Sequence, residues 1–235
     1  MDINYKLFKS IKGEFEAEGL SREELASEAL FAARNGLNYL VKISGAEAKS
    51  DIRYLANLGI NAIVCPMIET EFSMKKYMDM LSVGVFEHVG VTIETFTAVD
   101  NINSIIQKGV LLNELTIGRT DLTSSWGGDS VDTFKTIEMV KIAAKAGRAA
   151  NLKVTMGGSI SSETRELLQD DAELRDLIDN IETRKTVMSL ENFLKESTLS
   201  NALQLEEVLL NRRVKDSHQS LKAASARLAA LSKRN

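Results

Sequence analysis

The chain has 235 residues, of which 44% are hydrophobic and 26% are charged. This length suffices for one well-packed core and is short for two full domains. The formal net charge is −4, so the chain carries no positive footprint for nucleic acid or anionic lipid. The opening segment has no apolar signal sequence, and no stretch approaches 18 apolar residues. We therefore expect a cytoplasmic protein that binds neither nucleic acid nor membranes.

Short apolar runs alternate along the chain with segments of helical periodicity. The seven apolar runs, predicted as strands, are 7–15, 38–44, 61–67, 88–94, 114–120, 153–158 and 180–188. The predicted helices are 22–35, 46–57, 70–81, 97–108, 131–149 and 162–176. This alternation predicts an α/β fold with a parallel sheet and helices outside it. A doubly wound sheet is an alternative, but a TIM-type (β/α) barrel fits better because polar residues follow nearly every strand.

Seven β/α units are clear and an eighth is not obvious, so we expect a barrel domain over 1–188. Residues 189–235 are predicted to form a long C-terminal helical extension. Its apolar and small residues follow a coiled-coil-like spacing, at Leu203, Leu210, Val214, Ser217, Leu221, Ala224, Leu228 and Leu231. This seam packs either on its own barrel or, exchanged, at a subunit interface. Its length and narrowness favour a homo-oligomer.

Two carboxylates, Glu94 and Asp121, follow neighbouring predicted strands. Barrel enzymes place their catalytic groups at this end of the strands. A pair of hard oxygen ligands suits Mg²⁺ or Mn²⁺, which leaves its other positions to water and substrate. The pair therefore predicts a metal site that binds a 2-oxo acid and stabilises an enolate.

Other polar residues are expected at the same rim of the barrel. Lys42 and Arg119 are predicted to act in catalysis by supplying positive charge to a substrate carboxylate or phosphate. A Schiff base on Lys42 is an alternative. The predicted substrate-binding residues are Lys12, Lys42, Glu69, Gly157, Gly158 and Ser159. The glycines and the serine among them are expected to offer backbone N–H groups to an anion.

Two segments carry a family resemblance. VTIETFTAVDNINSII (91–106) and LTIGRTDLTSSWG (115–127) resemble the HpcH/HpaI aldolase and citrate lyase β-subunit superfamily, whose members show IET and IGxxDL motifs. AIVCPMIETEFSMKKYM (62–78) resembles the preceding strand of that family. The resemblance implies a phosphoenolpyruvate/pyruvate-type TIM barrel, a divalent metal on Glu94 and Asp121, and an oligomer (a trimer or hexamer) with exchanged C-terminal helices.

Three further segments resemble one branch of the superfamily. They are KGEFEAEG (12–19), KISGAEA (42–48) and IETRK (181–185). The chain departs from the family's D-x-E-H pattern, because it carries Glu16-Ala17-Glu18-Gly19 and no histidine there. Neither histidine of the chain is placed for catalysis, so Glu16 or Glu18 is the candidate general base.

Three functions follow from these observations. The first is a metal-dependent carbon–carbon lyase or aldolase that acts on a small 2-oxo acid or a related carboxylate. The second is a phosphoenolpyruvate-handling transferase, mutase or hydrolase on the same barrel, favoured by the positive charges of Lys42 and Arg119. The third is a non-catalytic barrel that serves as a binding or scaffold protein.

Overall fold

The structure, a computed structural model that describes residues 3–82 and 84–232, is a closed eight-stranded barrel surrounded by helices. The strands are β1 (Ser10–Glu14), β2 (Asn38–Lys42), β3 (Ala62–Cys65), β4 (His88–Ile93), β5 (Glu114–Gly118), β6 (Lys153–Gly157), β7 (Asn180–Glu182) and β8 (Thr186–Ser189). Each strand pairs with its neighbours in sequence, and β8 closes the barrel against β1. The predicted TIM-type barrel is therefore confirmed, with one departure in its last strand.

Helices cover the outside of the barrel. They are α1 (Arg22–Arg34), α2 (Lys49–Leu58), α3 (Glu71–Asp79), α4 (Phe96–Asp100), α5 (Ile102–Lys108), α6 (Arg119–Ser125), α7 (Phe134–Ala149), α8 (Ser162–Asp170), α9 (Ala172–Leu177), α10 (Leu190–Phe193) and α11 (Thr198–Ser232). Side-chain caps fix where several begin. Ser21 and Glu24 form a reciprocal capping box at the start of α1, as their spacing in the sequence suggests.

The segment 180–188 contains two strands, so its prediction as one strand is wrong. β7 runs parallel to β6, and β8 runs antiparallel to both β7 and β1. Between them the chain reverses in a tight turn, where the Thr183 N–H donates to the Thr186 carbonyl oxygen at 2.9 Å. The turn contains no glycine, proline or asparagine, which are the usual sequence signals of a reversal. The eighth strand that the sequence leaves uncertain is therefore β8.

Two helix predictions and the end of one strand prediction also need correction. The segment 97–108 is divided at Asn101 into α4 and α5, and the segment 162–176 is divided at Asp171 into α8 and α9. Short polar side chains compete for backbone hydrogen bonds and so favour helix ends over helix interiors. Arg119, predicted at the end of a strand, instead begins the short helix α6.

Each strand presents apolar side chains to the helices and a more polar face to the barrel interior. The outward residues join one large core that includes Ile11, Val41, Ile63, Val91 and Leu115. The inward residues alternate with them. They include a small apolar cluster of Leu40, Ala62, Val64 and Val187, and the buried polar side chains of Lys12, Thr92, Thr116, Thr155 and Glu182. The interior therefore becomes polar on the side of β4 to β7.

Buried ion pairs join the first strand and its following loop to the last hairpin. Lys12 Nζ on β1 lies 2.6 Å from Glu182 Oε1 on β7. Lys185 Nζ, in the β7–β8 turn, lies 2.5 Å from Glu18 Oε2 and 2.9 Å from Glu28 Oε2. The motifs KGEFEAEG and IETRK, far apart in the sequence, are therefore two sides of one contact.

The long helix α11 packs on the barrel only through its first turns. Ala202, Leu205 and Leu209 are buried, and the Arg213 guanidinium donates to the Glu18 carbonyl oxygen at 3.2 Å. Near the start of α11, the Asn201 side chain accepts a hydrogen bond from the Asn4 N–H at 2.9 Å. Within residues 3–82 and 84–232, no helix has the length and apolar character needed to cross a membrane.

The predicted seam on α11 does not pack on its own barrel. The described side chains of this seam are exposed, at Leu203, Leu210, Val214, Ser217, Leu221 and Ala224. The side chains of Leu228 and Leu231 lie outside the described part of the chain. The interpretation that the seam packs on the same barrel is therefore wrong for its described members, and its exchange between subunits stays a prediction.

We expect Lys185→Met to destabilise the protein by about 3–5 kcal/mol, because it leaves the buried carboxylates of Glu18 and Glu28 without their cation. The methionine side chain has similar length, so the change tests charge more than packing. Urea unfolding at one protein concentration measures the difference. Lys75→Met is the matched control, because the Lys75–Asp79 pair is exposed and should change stability little. Equal losses in both variants would contradict the role given to the buried contact.

Candidate active site

A cavity of about 530 Å³ opens at the carboxyl ends of the parallel strands, where barrel enzymes hold their active sites. Several predicted site residues line it together, namely Lys12, Lys42, Glu94, Asp121, Gly157, Gly158 and Ser159. A smaller recess of about 210 Å³ adjoins it, bounded among others by Glu16, Lys42, Glu94 and Asp121. The mouth of the barrel therefore brings together most of the residues predicted from the sequence.

Glu94 is the most buried carboxylate of the predicted pair, with 3% of its side chain exposed. Its Oε1 accepts from the Met67 N–H at 3.0 Å, and its Oε2 lies 3.5 Å from Lys42 Nζ. Burial raises the pKa of Glu94, and the charge of Asp121 raises it further. The charge of Lys42 and the hydrogen bond from the Met67 N–H lower it. The pKa of Glu94 therefore lies above its usual value, chiefly because its carboxylate is buried.

Asp121 lies in the first turn of α6 and is exposed to the cavity, beside Glu94. Gly118 lies against Glu94, because a Cβ atom at Gly118 would lie 3.1 Å from both Cβ and Oε2 of Glu94. The absence of a side chain at this position therefore leaves room for the carboxylate. In the described residues, no group of three or more histidine, cysteine, aspartate and glutamate side chains is arranged to hold a metal.

The carboxylate pair fits Mg²⁺ or Mn²⁺ on chemical grounds. A buried carboxylate and an exposed one face the same cavity and repel each other electrostatically. A divalent cation between them would relieve that repulsion, and two protein carboxylates are an ordinary ligand set for Mg²⁺. A softer metal such as zinc usually takes histidine or cysteine among its ligands.

Two lysines enter the cavity and have different surroundings. Lys12 is held between Glu14 and Glu182, with Nζ–Oε1 distances of 2.6 Å to each. Burial lowers the pKa of Lys12, but the charges of Glu182 and Glu14 outweigh burial and raise it above the usual value. Lys12 is therefore permanently charged. Lys42 has the weaker contact, with its Nζ 3.5 Å from Glu94 Oε2, and its role as a charge partner or as a Schiff-base lysine stays a prediction.

Arg119 does not reach the cavity, which corrects its prediction as a catalytic, substrate-holding cation. Its side chain is fully buried, and its guanidinium donates to Asp132 Oδ1 at 2.6 Å, to the Gly158 carbonyl oxygen at 2.9 Å and to Thr164 Oγ1 at 3.0 Å. Because its donors are engaged inside the protein, Arg119 instead fixes the turn after β6.

That turn lies on the cavity wall, as predicted, in a conformation that requires glycine. Gly158 has a φ of +85°, and a Cβ atom there would lie 2.5 Å from the Thr120 nitrogen. The next residue, Ser159, places its hydroxyl 3.0 Å from that of Thr120. The turn after β6 is therefore fitted closely against the start of α6, which carries Asp121.

The two candidate bases lie in different places. Glu16 is exposed in the recess beside the carboxylate pair. Glu18 lies outside the main cavity and is bound to Lys185, so its prediction as the general base is not supported by its position. Glu69 also lies outside the cavity, and its carbonyl oxygen accepts from Asn101 Nδ2 at 2.9 Å. The structure therefore does not bring Glu69 together with the other cavity residues, and its role as a substrate ligand stays a prediction.

The histidines are also remote from the cavity. His88 Nε2 lies 3.2 Å from Glu114 Oε2 at the amino-terminal end of the barrel. There it lines a separate cavity of about 360 Å³. His218 lies on the exposed part of α11. The cavity at the mouth therefore has no histidine base from the described part of this chain.

Several solved structures share this fold at low sequence identity. An HpcH/HpaI aldolase/citrate lyase family protein from Burkholderia cenocepacia J2315 superposes with a TM-score of 0.62 over 84% of this chain and 84% of that chain, at 16% identity. Citrate synthase SbnG superposes with a TM-score of 0.63 over 88% of this chain and 85% of that chain, at 13% identity. This chain has the fold of the HpcH/HpaI aldolase and citrate lyase barrels.

A malate synthase from Haloferax volcanii extends the comparison, with a TM-score of 0.59 over 78% of this chain and 63% of that chain, at 14% identity. No protein-family profile and no curated protein matches the sequence. The resemblance seen in the IET and IGxxDL motifs is thus confirmed by structure at the level of the HpcH/HpaI fold.

Four charged residues that line this cavity, Glu14, Glu182, Arg184 and Glu206, were given no role from the sequence. Glu14 and Glu182 hold Lys12, and Arg184 lies at the rim. The signal that finds the first two is strand alternation, because a residue two positions from an inward-facing one faces inward too. Arg184 follows only once the turn between β7 and β8 is known.

Proposed function

We propose that this protein is a divalent-metal-dependent carbon–carbon lyase or aldolase that acts on a small 2-oxo acid or a related carboxylate. The observation that carries the proposal is the placement of buried Glu94 and exposed Asp121 on one cavity at the barrel mouth. The HpcH/HpaI-type fold supports the same class of reaction, since its solved relatives include proteins named as an aldolase/citrate lyase family member, a citrate synthase and a malate synthase.

The residues of this chain divide the work in the proposed site. Glu94 and Asp121 would hold Mg²⁺ or Mn²⁺, which when bound supplies Lewis-acid stabilisation of negative charge on a substrate carbonyl oxygen. Met67 and Gly118 position Glu94, the first through its N–H group and the second by leaving space. Lys42 provides positive charge beside the pair and orients the carboxylate of the substrate.

The general base in the proposed reaction is Glu16. It lines the recess that also contains Glu94 and Asp121, and it is exposed, so a substrate proton can reach it directly or through water. Glu14 lies closer to the centre of the barrel, but Lys12 binds its carboxylate at 2.6 Å. An unpaired carboxylate is the better proton acceptor, which favours Glu16.

The phosphoenolpyruvate-handling alternative loses one of its two supports. It rested on Lys42 and Arg119 as cations for a phosphate, and Arg119 is fully buried and bound to protein acceptors. The non-catalytic alternative rested partly on the uncertain eighth strand, which β8 supplies. The lyase therefore has the strongest support among the three candidates.

We expect the wild-type protein to bind Mg²⁺ or Mn²⁺. We expect the metal affinity of Asp121→Ala to be lower by at least about tenfold, since even residues that contact a metal ligand indirectly contribute that much affinity. Titration calorimetry measures both affinities. Asp129→Ala is the matched control, because Asp129 is an exposed aspartate eight positions further on that lies outside the cavity. Equal metal affinity in wild type and Asp121→Ala would refute the metal site.

Pyruvate in deuterated buffer tests the reaction itself. We expect the metal-loaded enzyme to exchange the methyl protons of pyruvate for deuterium, which proton NMR detects. We expect Glu16→Gln to slow that exchange by about 100-fold, a usual contribution of a general base. Phosphate release from phosphoenolpyruvate without methyl exchange would favour the second function. If the protein catalyses neither methyl exchange in pyruvate nor phosphate release from phosphoenolpyruvate, the non-catalytic barrel is favoured.

We also propose that the exposed seam of α11 packs against a second copy of this chain in a homo-oligomer, a trimer or hexamer. Leu210, Val214, Ser217 and Leu221 are spaced at intervals of four, three and four residues on α11, and all four are exposed. This spacing is typical of a seam between paired helices. The same helix in a second copy offers the matching face.

Val214→Glu should shift the protein toward the monomer in sedimentation velocity, because it places a charge inside the proposed seam. Val214 is 67% exposed in the isolated chain, so its replacement should leave the fold of one subunit intact. Lys215→Glu, on the neighbouring exposed position of the same helix, should leave the oligomer unchanged. A monomeric wild type would overturn the proposal.

A further inference from the structure

Arg184 is an unused cation at the rim of the candidate active site. It is exposed and lines the main cavity, and among the described residues none forms a hydrogen bond or an ion pair with its guanidinium. The other cavity cations already have carboxylate partners, since Lys12 binds two glutamates and Lys42 contacts Glu94. Arg184 therefore has the free hydrogen-bonding capacity that an anionic ligand would use.

The position of Arg184 is set by the residues on either side of it. Glu182 is bound to Lys12 at 2.6 Å, and the Thr183 N–H donates to the Thr186 carbonyl oxygen at 2.9 Å. A second contact, between the Thr183 and Thr186 hydroxyls, measures 2.7 Å. These bonds close the turn and leave Arg184 at its tip.

The other neighbour, Lys185, is anchored inside the protein. Only 1% of its side chain is exposed, and its Nζ lies 2.5 Å from Glu18 and 2.9 Å from Glu28. Since Glu182 and Lys185 are both held by buried ion pairs, the backbone of Arg184 has little freedom to move. A rigid backbone lowers the entropic cost of binding a ligand through this side chain.

The topology of this barrel removes the site that (β/α)-barrels usually offer to an anion beside their last strands. In (β/α)-barrels, a phosphate is often held by the loops after the last two strands and a nearby helix amino terminus. Here β8 runs away from the mouth, and the helix that follows it, α10, contacts Leu7 at the opposite end of the barrel. The loop after β8 and the start of α10 therefore do not offer an anion site at the mouth, and Arg184 is a cationic side chain available beside β7.

The charge of Arg184 extends into the cavity. Burial by itself raises the pKa of Glu14, but Lys12, Lys42 and Arg184 together lower it below its usual value. Glu206 of α11 lines both the cavity and a small recess that it shares with Arg184. Glu206 would repel an anion placed too deeply toward α11, which confines the favourable position to the side of Arg184.

We infer that Arg184 is a specificity-determining residue that binds a second anionic group of the substrate, distant from the 2-oxo acid end at Glu94 and Asp121. The substrate class is then a 2-oxo acid that carries a further carboxylate or phosphate group. The inference rests on the proposed function, because the metal site defines where the first end of the substrate binds. The planar guanidinium suits both anions, since it can donate two parallel hydrogen bonds to either.

The test compares three probes on the full chain loaded with Mg²⁺, by titration calorimetry. Pyruvate carries only the 2-oxo acid end, 2-oxoglutarate adds a carboxylate, and phosphonopyruvate adds a phosphonate. We expect wild type to bind at least one of the longer probes about tenfold more tightly than pyruvate, the gain of one charge-assisted hydrogen-bonded contact. We expect Arg184→Gln to reduce that affinity ratio to near one. Arg53→Gln, an exposed arginine on α2 outside the cavity, should keep the wild-type ratio.

The outcomes separate the two anions and the two proposals. If Arg184→Gln lowers the affinity ratio to pyruvate only for 2-oxoglutarate, the second group is a carboxylate. If Arg184→Gln lowers that ratio only for phosphonopyruvate, the second group is a phosphate. Glu206→Gln should raise the ratio about twofold or more, because it removes a repelling charge. An Arg184→Gln ratio equal to that of wild type overturns the inference alone. Failure of Mg²⁺-loaded wild type to bind any of the three probes overturns the proposed function together with it.

Discussion

Two buried lysines hold the ends of the barrel sheet together, and the rest of the site depends on them. Lys12 bonds to Glu182, and Lys185 bonds to Glu18 and Glu28, so β1 and its following loop are fastened to the β7–β8 hairpin. Each lysine would be costly to bury alone, and each is stable because carboxylates surround it. These contacts give the hairpin its position, and with it the wall of the cavity beside β7. A purely apolar junction would close the barrel equally well but would leave the orientation of the turn less strictly determined.

Much of the fold and the centre of the site were predictable from the sequence. Buried parallel strands appear as short apolar runs, and seven of the runs contain the observed strands because burial on both faces requires apolar residues. The Glu94 and Asp121 pair was predictable for a second reason. Residues that directly follow a strand must lie at the mouth of the barrel, so sequence position alone placed both carboxylates on one cavity.

The errors arose where a contact distant in sequence decided the outcome. Arg119 follows a strand as Asp121 does, yet its guanidinium turns inward to Asp132 and Thr164, and no local pattern reveals those partners. The run 180–188 was taken for one strand because its reversal depends on the anchoring of Lys185 rather than on turn-forming residues. Glu18 was taken for a base because its own cation lies 167 positions away. Tertiary pairing in each case overrides the local sequence signal.

The continuity of α11 links two regions that are otherwise separate. Leu203 and Glu206 lie on the cavity wall, and Val214 and Leu221 lie on the exposed seam of the same uninterrupted helix. A helix transmits displacement along its axis because its backbone hydrogen bonds resist bending. Any contact that tilts the far end of α11 must therefore move the cavity wall as well. Access of substrate to the barrel is in this way mechanically coupled to whatever holds the end of the helix.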